Sequence, residues 1–294
     1  MYRCASANPI VHHSSFIISQ LPIPHSNHFP LNRPPMRPWI LSEVNYAYVK
    51  EHPYEVAVLP LGATEPHNLH LPYGTDVLEA DEVGRQICQQ AHEKGAKVVL
   101  LPTMPYGTET NQRAYPLSMN VNPSTLFAVI TDLVDSLALH GVRKIVLLNS
   151  HGGNDFKALL RELYGRTPAH LFLCNWYTVL ADRYDEVFSQ PDDHAGEMET
   201  SFILAYHPHL VAKNADGTLA ADDGATRTTR FEAVNRGWVS ITRPWHLLTT
   251  NTGVGNPHGA SAEKAKRYME LLVPRLAQFL VELSGSKLDD KFPF

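Results

Sequence analysis

Cysteine is scarce in this chain of 294 residues: Cys4, Cys88 and Cys174 are odd in number, far apart and never arranged as CxxC. That argues against a disulfide framework and for a reducing compartment, which we read as the cytoplasm. Basic clusters are missing too, and the formal net charge of -5 gives no electrostatic reason to expect nucleic acid or an anionic membrane as partner. A small molecule is the expected partner. Long apolar runs are also absent from residues 1–38, which are rich in Pro, Ser, Asn and His. Their best run, 16–18, is too short for a signal-peptide core or a membrane span. We read 1–38 as an N-terminal extension, 39–284 as one catalytic-sized domain and 285–294 as a tail. What the chain does have is apolar mass, 44% of its residues, and sixteen histidines, of which only those inside motifs carry weight.

Helix-like and strand-like segments alternate from Trp39 onward. The patterns predict helices over 42–51, 76–94, 123–140, 155–164, 179–188 and 260–284, and strands over 56–60, 97–101, 144–148, 170–175 and 238–244. Asn122 and Pro123 suit the start of the third helix. The runs KVVLL and KIVLL show no polar alternation, as expected of parallel strands covered on both faces. The predicted fold class is therefore α/β, a three-layer α/β/α sandwich with a mainly parallel central sheet. Ligands in such sheets gather at the carboxyl ends of strands.

Three polar clusters fall at such places. The first, LPLGATEPHNLHLPYGTD over 59–76, holds Glu65, His67, His70 and Asp76 directly after a predicted strand. Glu65 and His67, two apart, point the same way in extended backbone, and carboxylate with imidazole on a turn-rich loop suits a divalent metal. The plainer reading makes Asp76 a helix cap and the histidines loop residues. The second cluster, NSHGGN over 149–154, places His151 at a strand end, with Gly152 and Gly153 allowing close backbone approach and Asn154 either bonding substrate or locking the turn. The third, DHAGEMETS over 193–201, opens a helix in which Glu197 and Glu199 cannot share a face, so one of them at most reaches a metal. An acidic first helical turn is the alternative.

Together these clusters resemble the creatininase (creatinine amidohydrolase) family, whose ExH loop, HLPxGTD, HGGN and HAGExET motifs stand here as Glu65–His67, His70–Asp76, His151–Asn154 and His194–Thr200. The resemblance implies two divalent cations per subunit, zinc first and manganese or iron as alternatives. Glu65, His151 and Asp76 would hold one cation, and His67, Asp76 and a second carboxylate the other. Creatininase proper has that carboxylate two residues after the histidine, where this chain has Gly153, so Glu197 is expected to replace it. His194, held by Asp193, matches the catalytic histidine. Gly152, Gly153 and Asn154 would contact substrate, and a homohexamer is implied.

The implied reaction is hydrolysis of a C–N amide bond in a small cyclic or N-formyl amide, through water activated as hydroxide, with His194 protonating the leaving nitrogen. Creatinine itself is the alternative substrate, weakened by Gly153. A non-catalytic metal-binding protein of the same fold and a single-metal hydrolase are the other readings. Arg113 and Tyr115, in the loop after the second strand, are weaker candidates for substrate contact.

Overall fold

Residues 36–191 and 194–294 are described by the structure, a computed structural model, so the expected extension lies almost wholly outside them. Strand β1 (Val56–Leu61) is buried at every position and becomes the inner strand of a four-stranded sheet. It pairs in parallel with β2 (Val98–Leu100) on one side and β3 (Lys144–Asn149) on the other, and β3 pairs in parallel with β4 (His170–Asn175). The order β2-β1-β3-β4 means that the chain winds outward from β1 in one direction, then returns past it and continues in the other. A crevice opens at the carboxyl ends of β1 and β3, where the winding reverses.

Helices cover both faces, as the apolar strands require. The short helix α1 (Tyr46–Glu51) precedes the sheet, its first turn capped by Asn45, which accepts from the Tyr48 N–H. On one face α2 (Thr75–Glu93) lays Val83, Ile87, Cys88 and Ala91 on β1 and β2, in one cluster with Tyr268, Met269, Leu272, Leu276 and Leu280 of the C-terminal helix. On the other face Leu126, Ile130 and Val134 of α3 (Pro123–Leu139) and Leu159 and Leu163 of α4 (Lys157–Leu163) meet Ala57, Leu59, Ile145 and Leu147. Chain reversals after α2 and α3 use Gly95 and Gly141 at positive φ, the usual way to end a helix. The later elements are α5 (Glu197–Tyr206), the single turns α6 (Glu232–Asn235) and α7 (Trp245–Leu248), and α8 (Ala262–Gly285). Ser261 caps α8 by accepting from the Lys264 N–H. At its other end the buried Lys144 donates to the carbonyls of Ser284 and Ser286 at 3.2 and 2.6 Å, tying the last helix to the start of β3. None of the described helices is long and apolar enough to cross a membrane.

Two predicted elements are absent. Residues 179–188 form no α-helix; short 3-10 turns at Trp176–Thr178 and Tyr184–Glu186 bury Leu180 and Phe188 instead, a path that satisfies the same apolar spacing. Residues 238–244 form no strand: Trp238, Val239 and Ile241 are exposed, and no strand among the described residues lies beside them. Local alternation supplies the side chains of a strand but not its pairing partner.

The loop leaving β1 packs tightly on the start of α2. A Cβ at Gly62 would lie 2.8 Å from the backbone N and Cα of Val77, atoms that cannot swing aside. Gly62→Ala should therefore destabilise the fold by about 1–3 kcal/mol, read as a lower urea midpoint with an unchanged slope.

Candidate metal centre

The β1 and β3 carboxyl ends bring the first two clusters together, and α5 delivers the third. Glu65, His67, Asp76, His151, His194 and Glu199 are all buried. Three sets among them offer donor atoms within 4.8 Å of one another: Glu65 with Asp76 and His151, His67 with Asp76 and Glu199, and Glu65 with His67 and His194. Asp76 lies between two of these sets, with Oδ1 3.3 Å from His67 Nε2 and Oδ2 3.2 Å from His151 Nδ1. Glu65 Oε1 is 3.0 Å from His151 Nδ1 and 3.7 Å from His194 Nδ1.

Each imidazole turns one nitrogen to the cluster and anchors the other outside it. His67 Nδ1 lies 3.0 Å from the Glu65 carbonyl, His194 Nε2 lies 2.9 Å from the Pro66 carbonyl, and His151 Nε2 lies 3.2 Å from the Thr108 carbonyl and 2.8 Å from Glu109 Oε1. Donation to those acceptors makes the inner nitrogens the ones that carry the lone pair in the neutral ring, the tautomer a metal needs. Backbone geometry holds two of these residues: Asn68 and Ala195, which follow His67 and His194, both have positive φ. Ala195 sits there at a steric cost that is characteristic of over-determined sites.

Charge in this pocket is self-contradictory without a cation. Burial and neighbouring carboxylates raise Glu65 well above the usual carboxylate range, opposed only in part by His151. Asp76, although buried, is held well below that range by His67 and His151. Burial should lower His67, yet Asp76 and Glu65 push it up to about 9, and His151 is raised by Glu65, Asp76 and Glu109. His194 goes the other way, lowered by burial and by His67, and is neutral. His67 Nε2 and Asp76 Oδ2 are buried with no hydrogen-bond partner. A buried imidazole nitrogen and a buried carboxylate oxygen without such a partner, set among converging carboxylates, are what a divalent cation would satisfy.

The expected carboxylate, Glu197, is not in the cluster, and this corrects the sequence-based expectation. It opens α5 fully buried but turned away from the cluster, accepting from the Ser189 and Gln190 N–H groups at 2.8 and 3.0 Å and pairing with Lys264 of α8. Those partners hold it below the usual carboxylate range despite its burial. Glu199, two residues on and so on the opposite face, turns inward, accepts the Ala195 N–H and comes within 3.9 Å of His67 Nε2. A glutamate at the third helical position reaches back over the helix start more readily than one at the first. Asp193 lies outside the described residues. Asn154 locks the turn rather than facing the cavity: its Oδ1 accepts from the Thr108 N–H at 3.0 Å and its Nδ2 donates to Asn149. Gly152 and Gly153 do line the cavity. A Cβ at Gly153 would lie 2.3 Å from His151 Nε2 and 2.5 Å from the Thr108 carbonyl oxygen, so no side chain fits there.

Motif reading missed Glu109, Gln112, Arg243 and Trp245, which line the same cavity of about 90 Å3 with Glu65, Asp76, His151, His194 and Glu199. Gln112 donates to Glu65, fixing its outer oxygen. Tyr115 contacts Trp245 and Thr249 rather than the cavity, its hydroxyl 3.1 Å from Thr249 Oγ1, and Arg113 is exposed. The acidic and amide character of ETNQ over 109–112 was the only available signal, and polar loops are too common for it to stand out.

Comparison with known proteins gives the family and the fold. The family model described as creatinine amidohydrolase matches residues 42–280. A creatinine amidohydrolase of Pseudomonas putida is 30% identical over 53% of this chain and 66% of its own length. A mycofactocin precursor peptide peptidase of Mycobacterium tuberculosis is 27% identical over 78% of this chain and 87% of its own. Among solved structures, a Bacteroides fragilis protein provisionally assigned as a creatinine amidohydrolase superposes with a TM-score of 0.78 and 36% identity, covering 87% of this chain and all of that one. Creatininase structures at 24% identity and a TM-score of 0.63 share the fold, and include a manganese form and a zinc–zinc form.

The two glutamates of α5 separate experimentally. Glu199→Gln should lower bound divalent metal, measured by plasma emission after loading and desalting, with little loss of fold. Glu197→Gln should keep its metal and lose about 1–3 kcal/mol of stability, since it leaves Lys264 and two backbone donors with a weaker acceptor.

Proposed function

The chain belongs to the creatininase family, and from that premise we propose that it is a hydrolase of C–N amide bonds in small cyclic or N-formyl amides, dependent on two divalent cations. The observation that carries this reading is the pair of donor sets meeting at Asp76, one completed by Glu65 and His151, the other by His67 and Glu199. Oxygen and nitrogen donors of this kind accept zinc, manganese or iron. Two such cations would supply Lewis acidity, lowering the pKa of water and polarising an amide carbonyl.

The chain's own residues do the rest. Glu109 holds His151, and Gln112 holds Glu65, so that both present fixed donor atoms. His194 moves the proton: its Nε2 is engaged by the Pro66 carbonyl, so the Nδ1 lone pair faces the cavity, takes a proton from the attacking water and returns it to the leaving nitrogen. Burial keeps that imidazole neutral beforehand, the state a base requires. The backbone amides of Gly152 and Gly153 line the cavity where an oxyanion could be met. Because Glu199 offers a carboxylate in place of the one missing at Gly153, the donor set does not by itself argue against creatinine.

Metal count and turnover test this reading. The protein should hold two divalent cations per chain and hydrolyse members of a panel of small amides, creatinine and N-formyl compounds among them. Asp76→Asn should lose both cations and all turnover while the circular dichroism spectrum is retained. A full metal complement in that variant would refute the shared role of Asp76. His194→Gln should keep its metal and lose about 10²–10⁴-fold in kcat.

Loading should also expel protons. The metal-free chain keeps His67 protonated up to about 9, whereas a ligand imidazole must be neutral, so the metal-free form binds more protons than the loaded one. Affinity should therefore rise with pH towards 9 and level off above it. Calorimetry in two buffers of different ionisation enthalpy should show about one or two protons released at pH 7.5.

A further inference from the structure

The cavity at the candidate centre is small. At about 90 Å3 it falls well below the roughly 300–1,000 Å3 of sites that enclose a whole small molecule, so it takes a reacting group and little more. The rest of any larger ligand has to lie outside it. Beside it runs a groove of about 630 Å3, and Arg243 lines both spaces. That guanidinium is already engaged, with Cζ stacked 5.3 Å from the Trp245 ring centroid, and counts here only as shared wall.

Residues 227–248, with the single turns α6 and α7, build the groove. Phe231, Val239, Ile241 and Leu247 form apolar walls and are between 49% and 61% exposed. Apolar side chains left open around a concave space are what a ligand would cover. Arg227 and Arg230 line the same space, neither is in an ion pair among the described residues, and no carboxylate lines it there. The groove is also held in place relative to the metal loop. Isolated bridges join Gly224 to Gly255 and Thr226 to Thr249, and the Asn68 side chain donates to the Asp222 carbonyl at 2.9 Å. The Thr252 hydroxyl accepts from the Asn68 N–H at 2.8 Å and donates to the Pro66 carbonyl at 3.1 Å. Both ends of the groove segment are thereby tied to the residues between Glu65 and His70.

Building on the function proposed above, we propose that the groove holds the larger part of the substrate, which is an amide carrying a bulky apolar substituent that ends in a carboxylate. The amide enters the cavity, the substituent lies against Phe231, Val239, Ile241 and Leu247, and the carboxylate meets Arg227 and Arg230. Charge sets this direction. Glu65, Asp76, Glu109 and Glu199 line the cavity and two dications would do no more than offset them, whereas the groove keeps its guanidiniums. Hydrolysis puts the hydroxyl of water on the carbonyl carbon and a proton on the leaving nitrogen, breaking the C–N bond and releasing an acid and an amine. Proton transfer stays with His194, while Arg227, Arg230 and the apolar walls set specificity. A compact polar ring such as creatinine would leave the groove unfilled.

The test uses three formamides as probes: 4-(4-formamidophenyl)butanoate, the matching neutral alcohol, and N-methylformamide, which lacks the apolar group. Binding is read by calorimetry in zinc-loaded protein carrying His194→Gln to slow turnover. The alcohol should bind on the order of tenfold more tightly than N-methylformamide, and the acid about fivefold more tightly again. Arg227→Gln with Arg230→Gln should bring acid and alcohol within about twofold while metal content and circular dichroism stay unchanged. Leu247→Glu, which sets a carboxylate in the wall, should weaken the acid on the order of tenfold and leave N-methylformamide as it was. Equal binding of acid and alcohol, a preference that survives the double substitution, or an affinity for either no better than that of N-methylformamide would each overturn the inference. Turnover is followed separately in the unsubstituted protein. Groove binding that depends on the two arginines, without hydrolysis of any amide, would end the proposed function and leave the groove site standing; hydrolysis of small amides with no gain from the apolar acid would do the reverse.

Discussion

Like charges held close in a dry place need something between them. Glu65, Asp76 and Glu199 converge with His67, His151 and His194 in a pocket from which solvent is nearly excluded. Two unit charges about 4 Å apart interact by about 4 kcal/mol at an effective dielectric of about 20, so several carboxylates cannot share that space as bare anions. In the metal-free chain the conflict favours proton uptake, with His67, His151 and Glu65 all raised. Divalent cations would meet it better, and because the outer nitrogens are anchored, the inner ones are those that would give up their protons to receive them. Most of the surrounding architecture can be understood as holding these groups against their mutual repulsion.

The holding is done by the winding of the sheet. Because β1 and β3 are neighbours although a strand and two helices separate them in sequence, the loop after β1 and the turn after β3 leave the sheet side by side. The Ser150 N–H donates to the Leu61 carbonyl at 2.9 Å, stitching the two exits together one residue before His151. Asp76 stands in the first turn of α2, which is pinned on β1 through Gly62, and Asn149 and Asn154 brace the glycine turn that carries His151. From the far side His70 meets Thr200 at 2.8 Å, and an isolated bridge joins His194 to Val254, so α5 is fastened to the same loop it completes. Glu197 serves this fastening by gripping Lys264 of α8.

Strands β1, β3 and β4 and helices α2, α3 and α8 were legible because each depends on local pattern: apolar runs, a 3.6-residue stripe, Asn122-Pro123 at one helix start and Gly95 and Gly141 at two ends. Residues 179–188 and 238–244 misled for the same reason, since apolar spacing does not reveal whether a chain closes its own hydrogen bonds or makes tight turns. Glu65, His67, Asp76, His151 and His194 were visible because each sits in a dense motif at a strand end or helix start. Glu109, Gln112, Arg243 and Trp245 were not, because they come from loops whose polarity or aromaticity is ordinary.

Residue type and order alone determined that this is an α/β chain with a parallel sheet, that carboxylates and imidazoles cluster in three places, and that only one of Glu197 and Glu199 can face inward. Which one does was decided by tertiary structure: Lys264, some 67 residues away, pairs with Glu197 and leaves the inward position to Glu199. The convergence of the three clusters, the exclusion of any side chain at Gly153 and the meeting of Arg243 with the cavity were decided there as well. Each depends on distances between segments far apart in the chain, and these are set by how the sheet winds and the helices pack over it.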